Sequence, residues 1–156
     1  MELGSYLPYL VNRVGQRFIA DMTPALNKVG VDIQSWRVLI ALYQQGGQPV
    51  GALSDLTSIN FSTLSRVLDR MEKKLLVERL RGIDDARSVK IELTGKGRQV
   101  TEKILPHAAA LEAGSVDDFS EAELATLRQL LAKLYNGLNG LNGLNGENAE
   151  ADRLAG

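Results

Sequence analysis

The chain has 156 residues, of which 44% are hydrophobic, a net charge of -1 at pH 7 and no cysteine. A chain of this length is expected to form one compact domain with accessory elements. Without cysteine there is no disulfide, thiolate metal site or cysteine nucleophile, and without a leader or a long apolar run we expect a cytoplasmic protein with no membrane contact.

Positive charge is concentrated in one part of the chain. Between Asn60 and Arg98 there are ten basic and six acidic residues, so the remainder carries the net negative charge. A local basic surface on an acidic body attracts phosphate at one face only. A charge run by itself is more often a solvated surface, so the elements that carry these residues decide between the two interpretations.

Three helices are predicted in the first third of the chain. Apolar residues over 3–22 recur at spacings of three and four, which is typical of an amphipathic helix. Thr23 and Pro24 have the pattern of an N-cap followed by proline at the first helical position, and they predict a separate short helix. Asp32 is expected to begin a third helix, which ends at Gly46.

A pair of helices joined by a short turn is predicted after Pro49. The first has about two turns, with Leu53 and Leu56 on the same side, and the second covers 61–74. Two helices connected in this way are a helix-turn-helix candidate, whose second helix can enter a DNA major groove. Its apolar stripe comprises Leu64, Val67, Leu68, Met71 and Leu75, and its outward face comprises Ser62, Ser65, Arg66, Asp69 and Lys73.

A β-hairpin is predicted directly after these helices. Segments 76–81 and 88–94 are expected to form its strands, because the second alternates apolar and charged residues. The loop carries Asp84, Asp85 and Arg87. A hairpin after a recognition helix forms a wing, whose arginine can enter a narrow minor groove while a nearby carboxylate orients its guanidinium.

Two more helices are predicted in the C-terminal third of the chain. Thr94 caps the first, over about 95–113, which Pro106 is expected to kink or interrupt. A capping box at 120–123 opens the second, whose leucines lie along one side. Terminal helices with such stripes are expected to pack against a second copy of the chain. The Asn-Gly-Leu repeat opposes helix formation, so 137–156 is predicted to be a disordered tail, with an oligomer contact through its leucines as the alternative.

The sequence supports no enzyme, metal or cofactor. His107 is the single histidine, so an imidazole metal site lacks a second ligand and a catalytic triad would have to be built around this residue. The glycines at 95–98 lack the spacing of a phosphate-binding loop.

Three segments resemble the multiple-antibiotic-resistance-regulator (MarR) family of transcription factors: 36–42, 62–79 and 84–97. The likeness extends over about 5–135. It implies a mainly α fold with a small β-hairpin (α+β), in which a winged helix-turn-helix domain lies between N- and C-terminal dimerisation helices. The corresponding segments are 1–30 (dimerisation helix and linker helix), 31–98 (winged domain), 95–136 (dimerisation helices) and 137–156 (tail).

The resemblance also implies a homodimeric repressor on a palindromic double-stranded DNA operator. The wing arginine Arg87, supported by Asp85, would enter the minor groove. Leu75 stands where relatives commonly have glycine, and it would be strained in a left-handed helix cap, so the end of the recognition helix is expected to shift by a residue or two. The predicted DNA-contacting residues are Ser62, Thr63, Ser65, Arg66, Arg70, Lys73, Asp85 and Arg87.

Family members commonly bind small aromatic anions, and sometimes acyl thioesters, so the resemblance makes such a compound the expected effector. An anion needs a cation, and aromatic side chains can form the walls of the site. The candidates are Tyr9, Arg13, Arg17, Trp36 and Arg37, although a place in ion pairs or in the core is the commoner role of such residues. The alternative function is a winged-helix dimer that binds another protein, without DNA readout or ligand sensing.

Overall fold

The computed structural model describes residues 2–81 and 89–154, and only the backbone of 141–154. Two compact units, Met1–Glu112 and Ala113–Gly156, divide the chain. No helix in the described segments is long and apolar enough to cross a membrane.

The elements after a 3-10 turn (Leu3–Ser5) are α1 (Leu7–Lys28), α2 (Ile33–Gln45), β1 (Gln48–Pro49), α3 (Val50–Thr57), α4 (Phe61–Lys73), β2 (Val77–Arg81), β3 (Val89–Leu93), α5 (Gly95–Ser115) and α6 (Glu121–Leu154).

Helix α1 is continuous, so the predicted break at Thr23 and Pro24 is wrong. Pro24 lies inside the helix, and the Thr23 hydroxyl donates a hydrogen bond of 2.7 Å to the Ile19 carbonyl instead of capping a new helix. Met22 and Leu26, on either side of the proline, are buried in the core. The burial of this face offsets the hydrogen bond that proline cannot donate.

The core of the first unit lies beneath the helix-turn-helix. Helix α2 begins at the predicted cap, where the Asp32 carboxylate accepts a hydrogen bond of 2.7 Å from the Ser35 backbone N–H, and ends at Gly46, whose φ is 70°. Leu53 of α3 is fully buried, whereas Leu56, predicted on the same side, is 44% exposed because it lies at the edge of the buried stripe. The fully buried members of the core include Val38, Leu39, Leu64, Leu68 and Ile91.

Helix α4 is the predicted second helix, and its N-terminus is fixed by a side-chain cap. The Asn60 side chain accepts a hydrogen bond of 2.9 Å from the Thr63 backbone N–H. The predicted apolar stripe is confirmed from Leu64 to Met71, all of whose apolar members are buried. The opposite face of α4 is therefore turned to solvent.

Helix α4 is followed by a residue in the left-handed conformation, Leu75, whose φ is 59°. The Leu76 N–H donates to the Met71 carbonyl and the Leu75 N–H to the Glu72 carbonyl, both at 2.9 Å, which is the Schellman pattern of helix ends. The helix end has therefore not shifted, and that prediction is wrong. The placement of Leu75 in the apolar stripe is also wrong, because this side chain is 64% exposed.

Replacing Leu75 with glycine is expected to raise the free energy of unfolding by about 0.5–1 kcal/mol. A left-handed non-glycine residue costs about 1–2 kcal/mol, and the greater freedom of glycine in the unfolded chain cancels part of that gain. Urea unfolding followed by circular dichroism measures the difference. Leu75→Ala is the matched control, since it shortens the exposed side chain but keeps the Cβ atom. Equal stabilities for the two variants would contradict the strain.

The predicted hairpin is confirmed, and a third strand joins it. The sheet is antiparallel with the order β1-β3-β2, and Arg79 of β2 is paired with Ile91 of β3. Strand β1 was not predicted because it has only two residues, one of them Pro49. The loop residues Asp85 and Arg87 lie outside the described residues.

The two C-terminal helices begin as predicted. The Thr94 hydroxyl accepts a hydrogen bond of 3.0 Å from the Gly97 N–H, and Pro106 does not interrupt α5, which continues to Ser115. The capping box of α6 is confirmed, because the Ser120 N–H donates to the Glu123 carboxylate at 2.9 Å.

Helix α6 continues to Leu154, through the repeat that was predicted to end it. The repeat contains no proline, and extending an existing helix is easier than starting one.

Candidate DNA-binding surface

The solvent face of α4 presents the polar residues predicted to contact DNA. These side chains face outward because the opposite stripe is buried in the core. Phe61, next to them at the start of the helix, is 62% exposed. Ser62, Arg66, Arg70 and Lys73 are exposed, and Thr63 and Ser65 are half-buried.

Arg70 is held by the N-terminus of α2. Its Nη2 lies 2.8 Å from the Asp32 carboxylate. Partial burial alone would raise the pKa of Asp32, but the hydrogen bonds from Ser35 and the charges of Arg70 and Lys74 outweigh it and bring the pKa below its ordinary value. The same carboxylate therefore caps α2 and orients an arginine of α4, and in the free protein Arg70 already has an anionic partner.

Arg79 of β2 crosses to α4 and contacts two of its carboxylates. Its Nη2 lies 2.7 Å from Asp69, and its Nη1 forms an ion pair with Glu72. The hydrogen bond to Asp69 raises the pKa of Arg79; partial burial opposes this effect, and the charges of Glu72 and Asp69 add to it. This role of Arg79 could not be predicted from the sequence, because the ion pairs join a helix to a strand and have no local spacing.

The C-terminal end of α4 is bonded to two other parts of the chain. The Lys74 ammonium donates to the Gly30 carbonyl at 2.7 Å, and the Lys96 ammonium donates to the Lys74 carbonyl at 2.8 Å. The Thr94 hydroxyl donates to the Leu75 carbonyl at 2.5 Å. The α1–α2 turn and the start of α5 are thus joined to the same end of α4.

The candidate effector residues have different surroundings in the described part of the chain. Arg13 lies over the Tyr9 ring, with 5.5 Å between Cζ and the ring centroid, and Arg17 forms a 2.8 Å ion pair with Asp21. Trp36 is 8% exposed and belongs to the core.

Arg37 lines a cleft between α2 and α3 that the sequence analysis did not predict. The cleft has a volume of about 430 Å³. Among the described residues there is no group of histidine, cysteine, aspartate and glutamate side chains that could hold a metal ion. The lining residues are Arg37, Ile40, Ala41, Gln44 and Gln45 of α2, with Leu56 and Thr57 of α3 and the adjoining Ser58.

Comparison with known proteins places the chain among transcriptional regulators. The MarR family model matches residues 31–89. A MarR-family transcriptional regulator from Silicibacter pomeroyi is 32% identical, with a TM-score of 0.73, and the match covers 85% of this chain and 92% of that one. This degree of identity over nearly the whole of a relative supports common family membership.

Two further structures are similar and contain bound molecules. One is a mutant of MarR from E. coli complexed with operator DNA, at 26% identity and a TM-score of 0.73, covering 82% of this chain and 92% of that one. The other is NadR in complex with 4-hydroxyphenylacetate, at 25% identity and a TM-score of 0.76, covering 83% and 92%. With a winged helix-turn-helix and these relatives, the chain belongs to the MarR family of transcriptional regulators.

Proposed function

We propose that the protein is a homodimeric, sequence-specific repressor that binds a palindromic operator and is released from it by a small aromatic anion or its acyl thioester. The observation that carries the DNA-binding part is the solvent face of α4, on which Arg66 and Lys73 are exposed. A polar helix face with cations is the form that major-groove readers take. In a dimer, two copies of α4 would enter successive major grooves about 34 Å apart.

Two apolar surfaces support the dimer. Exposed apolar side chains of this number are unusual in a monomer, and they are expected to be buried by a second copy. In α1 they are Leu7, Leu10, Val11, Val14 and Phe18, and in α6 they are Leu127, Leu130, Leu131 and Leu138.

Selection of bound fragments from genomic DNA tests the DNA-binding proposal. We expect an enriched palindrome whose half-sites are one helical turn apart, and the affinity for it should fall steeply as salt is raised, because phosphate contacts release counterions. Enrichment of no sequence, together with salt-independent binding of a protein partner, would favour the protein-interaction alternative.

The cleft between α2 and α3 suits a small aromatic anion. Ile40 and Leu56 offer apolar contact, and Arg37 offers a cation among the lining residues. Helix α3 leads directly into the turn before α4, across which the Ser54 hydroxyl donates to the Ile59 carbonyl at 2.7 Å. A ligand inserted beside α3 would therefore displace the turn and, with it, the start of α4.

Replacing Arg37 with alanine is expected to raise the concentration of 4-hydroxyphenylacetate needed to release the operator by at least about tenfold, the effect of losing one charged hydrogen bond. This compound is the probe because a similar protein holds it. Fluorescence anisotropy of a labelled operator measures the release. Lys133→Ala, which removes an exposed positive charge from α6 outside all the candidate effector residues, is the control. Equal release curves for both variants would place the effector outside this cleft.

A further inference from the structure

We propose that Arg79 is a positioning residue of the DNA-binding surface, which orients and neutralises Asp69 and Glu72 of α4 without itself touching DNA. This inference rests on the proposed function. It assigns a role to the two carboxylates that lie among the cations of a surface expected to meet phosphate.

Two carboxylates of α4 make the charge of this surface less positive. The Asp69 and Glu72 side chains are 56% and 41% exposed, and both would repel the DNA backbone if they were unpaired. Arg79 reduces the formal charge of this group from two negative charges to one. Because the guanidinium is bonded to both carboxylates, it also holds their side chains in one orientation.

The bond to Arg79 restricts the contacts that Asp69 can make with DNA. A carboxylate on a recognition helix can accept a hydrogen bond from a cytosine amino group. In this protein an Asp69 oxygen is already 2.7 Å from Arg79 Nη2, and Arg79 uses its other terminal nitrogen on Glu72. Arg79 cannot turn to DNA without breaking this network, and Asp69 can meet a base only in the orientation that Arg79 imposes, so the geometry favours an internal contact over base readout.

Arg79 also joins α4 to the β-sheet. Arg79 is paired with Ile91 in the centre of the three-stranded sheet, and Ile91 is fully buried. The backbone of Arg79 is therefore held by the core while its side chain holds α4. The contact fixes α4 relative to β2, the strand that leads into the wing.

A double-mutant cycle tests the proposal with the full-length protein and the selected operator. Arg79→Met retains most of the apolar stem but removes the charge, and we expect it to weaken binding about tenfold, which corresponds to about 1.4 kcal/mol. In an Asp69→Asn, Glu72→Gln background the same change should weaken binding no more than about twofold, since no carboxylate remains to be neutralised. Arg79→Lys should restore part of the lost affinity.

The salt dependence distinguishes positioning from a phosphate contact. A plot of log K against log salt has a negative slope, and loss of one phosphate contact makes this slope shallower by about 0.9. Loss of a positioning residue should change the slope much less. Equal effects of Arg79→Met in both backgrounds, with a slope change near 0.9, would overturn the positioning role alone. Failure of the wild-type protein to bind any DNA would overturn both this role and the proposed function. Circular dichroism and urea unfolding establish that each variant is folded.

Discussion

Replacing Gly97 with alanine is expected to lower the free energy of unfolding by about 3 kcal/mol, the upper part of the range for overpacked sites. A Cβ atom at this position would lie 1.9 Å from the Leu76 carbonyl oxygen and 2.9 Å from its carbon. These are backbone atoms, and Gly97 is buried, so no flexible side chain can move aside. Relief requires the start of α5 to separate from the residue that precedes β2.

Gly95 provides a matched control for this prediction. It lies in the same first turn of α5, and a Cβ atom there would meet nothing within 4 Å. Gly95→Ala should therefore be neutral or slightly stabilising, because alanine is the better helix former. Urea unfolding followed by circular dichroism and by Trp36 fluorescence compares the two variants. A Gly97→Ala protein as stable as Gly95→Ala would show that α5 does not approach Leu76 so closely.

Replacing Arg66 with alanine is expected to weaken operator binding by about 1–3 kcal/mol, which is about fivefold to 150-fold. Arg66 is exposed on the solvent face of α4, and within the described part of the chain it has no acidic partner. Arg70 and Arg79, in contrast, are already bonded to carboxylates. Arg66 is thus the arginine of this surface that can meet a guanine edge or a phosphate at the least internal cost.

The control for Arg66 is Lys133→Ala, which removes one exposed positive charge from α6, outside the helix-turn-helix. Anisotropy titrations at one fixed salt concentration compare the two variants, and titrations with operators altered at single base pairs locate the lost contact. If Arg66 contacts a base, we expect the Arg66→Ala protein to distinguish less well between base pairs at one position of the operator. Equal, small losses for both variants would mean that Arg66 contributes only general charge.

The elements with strong periodicity could be predicted from the sequence, and the exceptions have physical causes. The helix-turn-helix and the hairpin follow from local patterns of apolar residues. The continuity of α1 through Pro24 depends on the burial of Met22 and Leu26, which are tertiary contacts. The conformation of Leu75 also could not be predicted, because the Schellman bonds that enclose it impose a φ that leucine disfavours.

The candidate site was predictable in its solvent face but not in its internal partners. The outward residues of α4 follow from the helical period. The ion pair of Arg70 joins residues that are 38 apart in sequence, and that of Arg79 with Asp69 joins residues 10 apart across a helix and a strand. Ion pairs of this kind cannot be predicted from the sequence, because their partners have no characteristic spacing. The same holds for the cleft at Arg37, which exists only because α2 and α3 are packed side by side.

The bonds at the C-terminal end of α4 have a further consequence for which substitutions this region tolerates. All three acceptors there are main-chain carbonyls, those of Gly30, Lys74 and Leu75. Every amino acid carries a main-chain carbonyl, so a substitution at an accepting position does not by itself remove the acceptor. The linkage therefore depends on the donor side chains of Lys74, Thr94 and Lys96, and divergent relatives could keep it by keeping these donors alone.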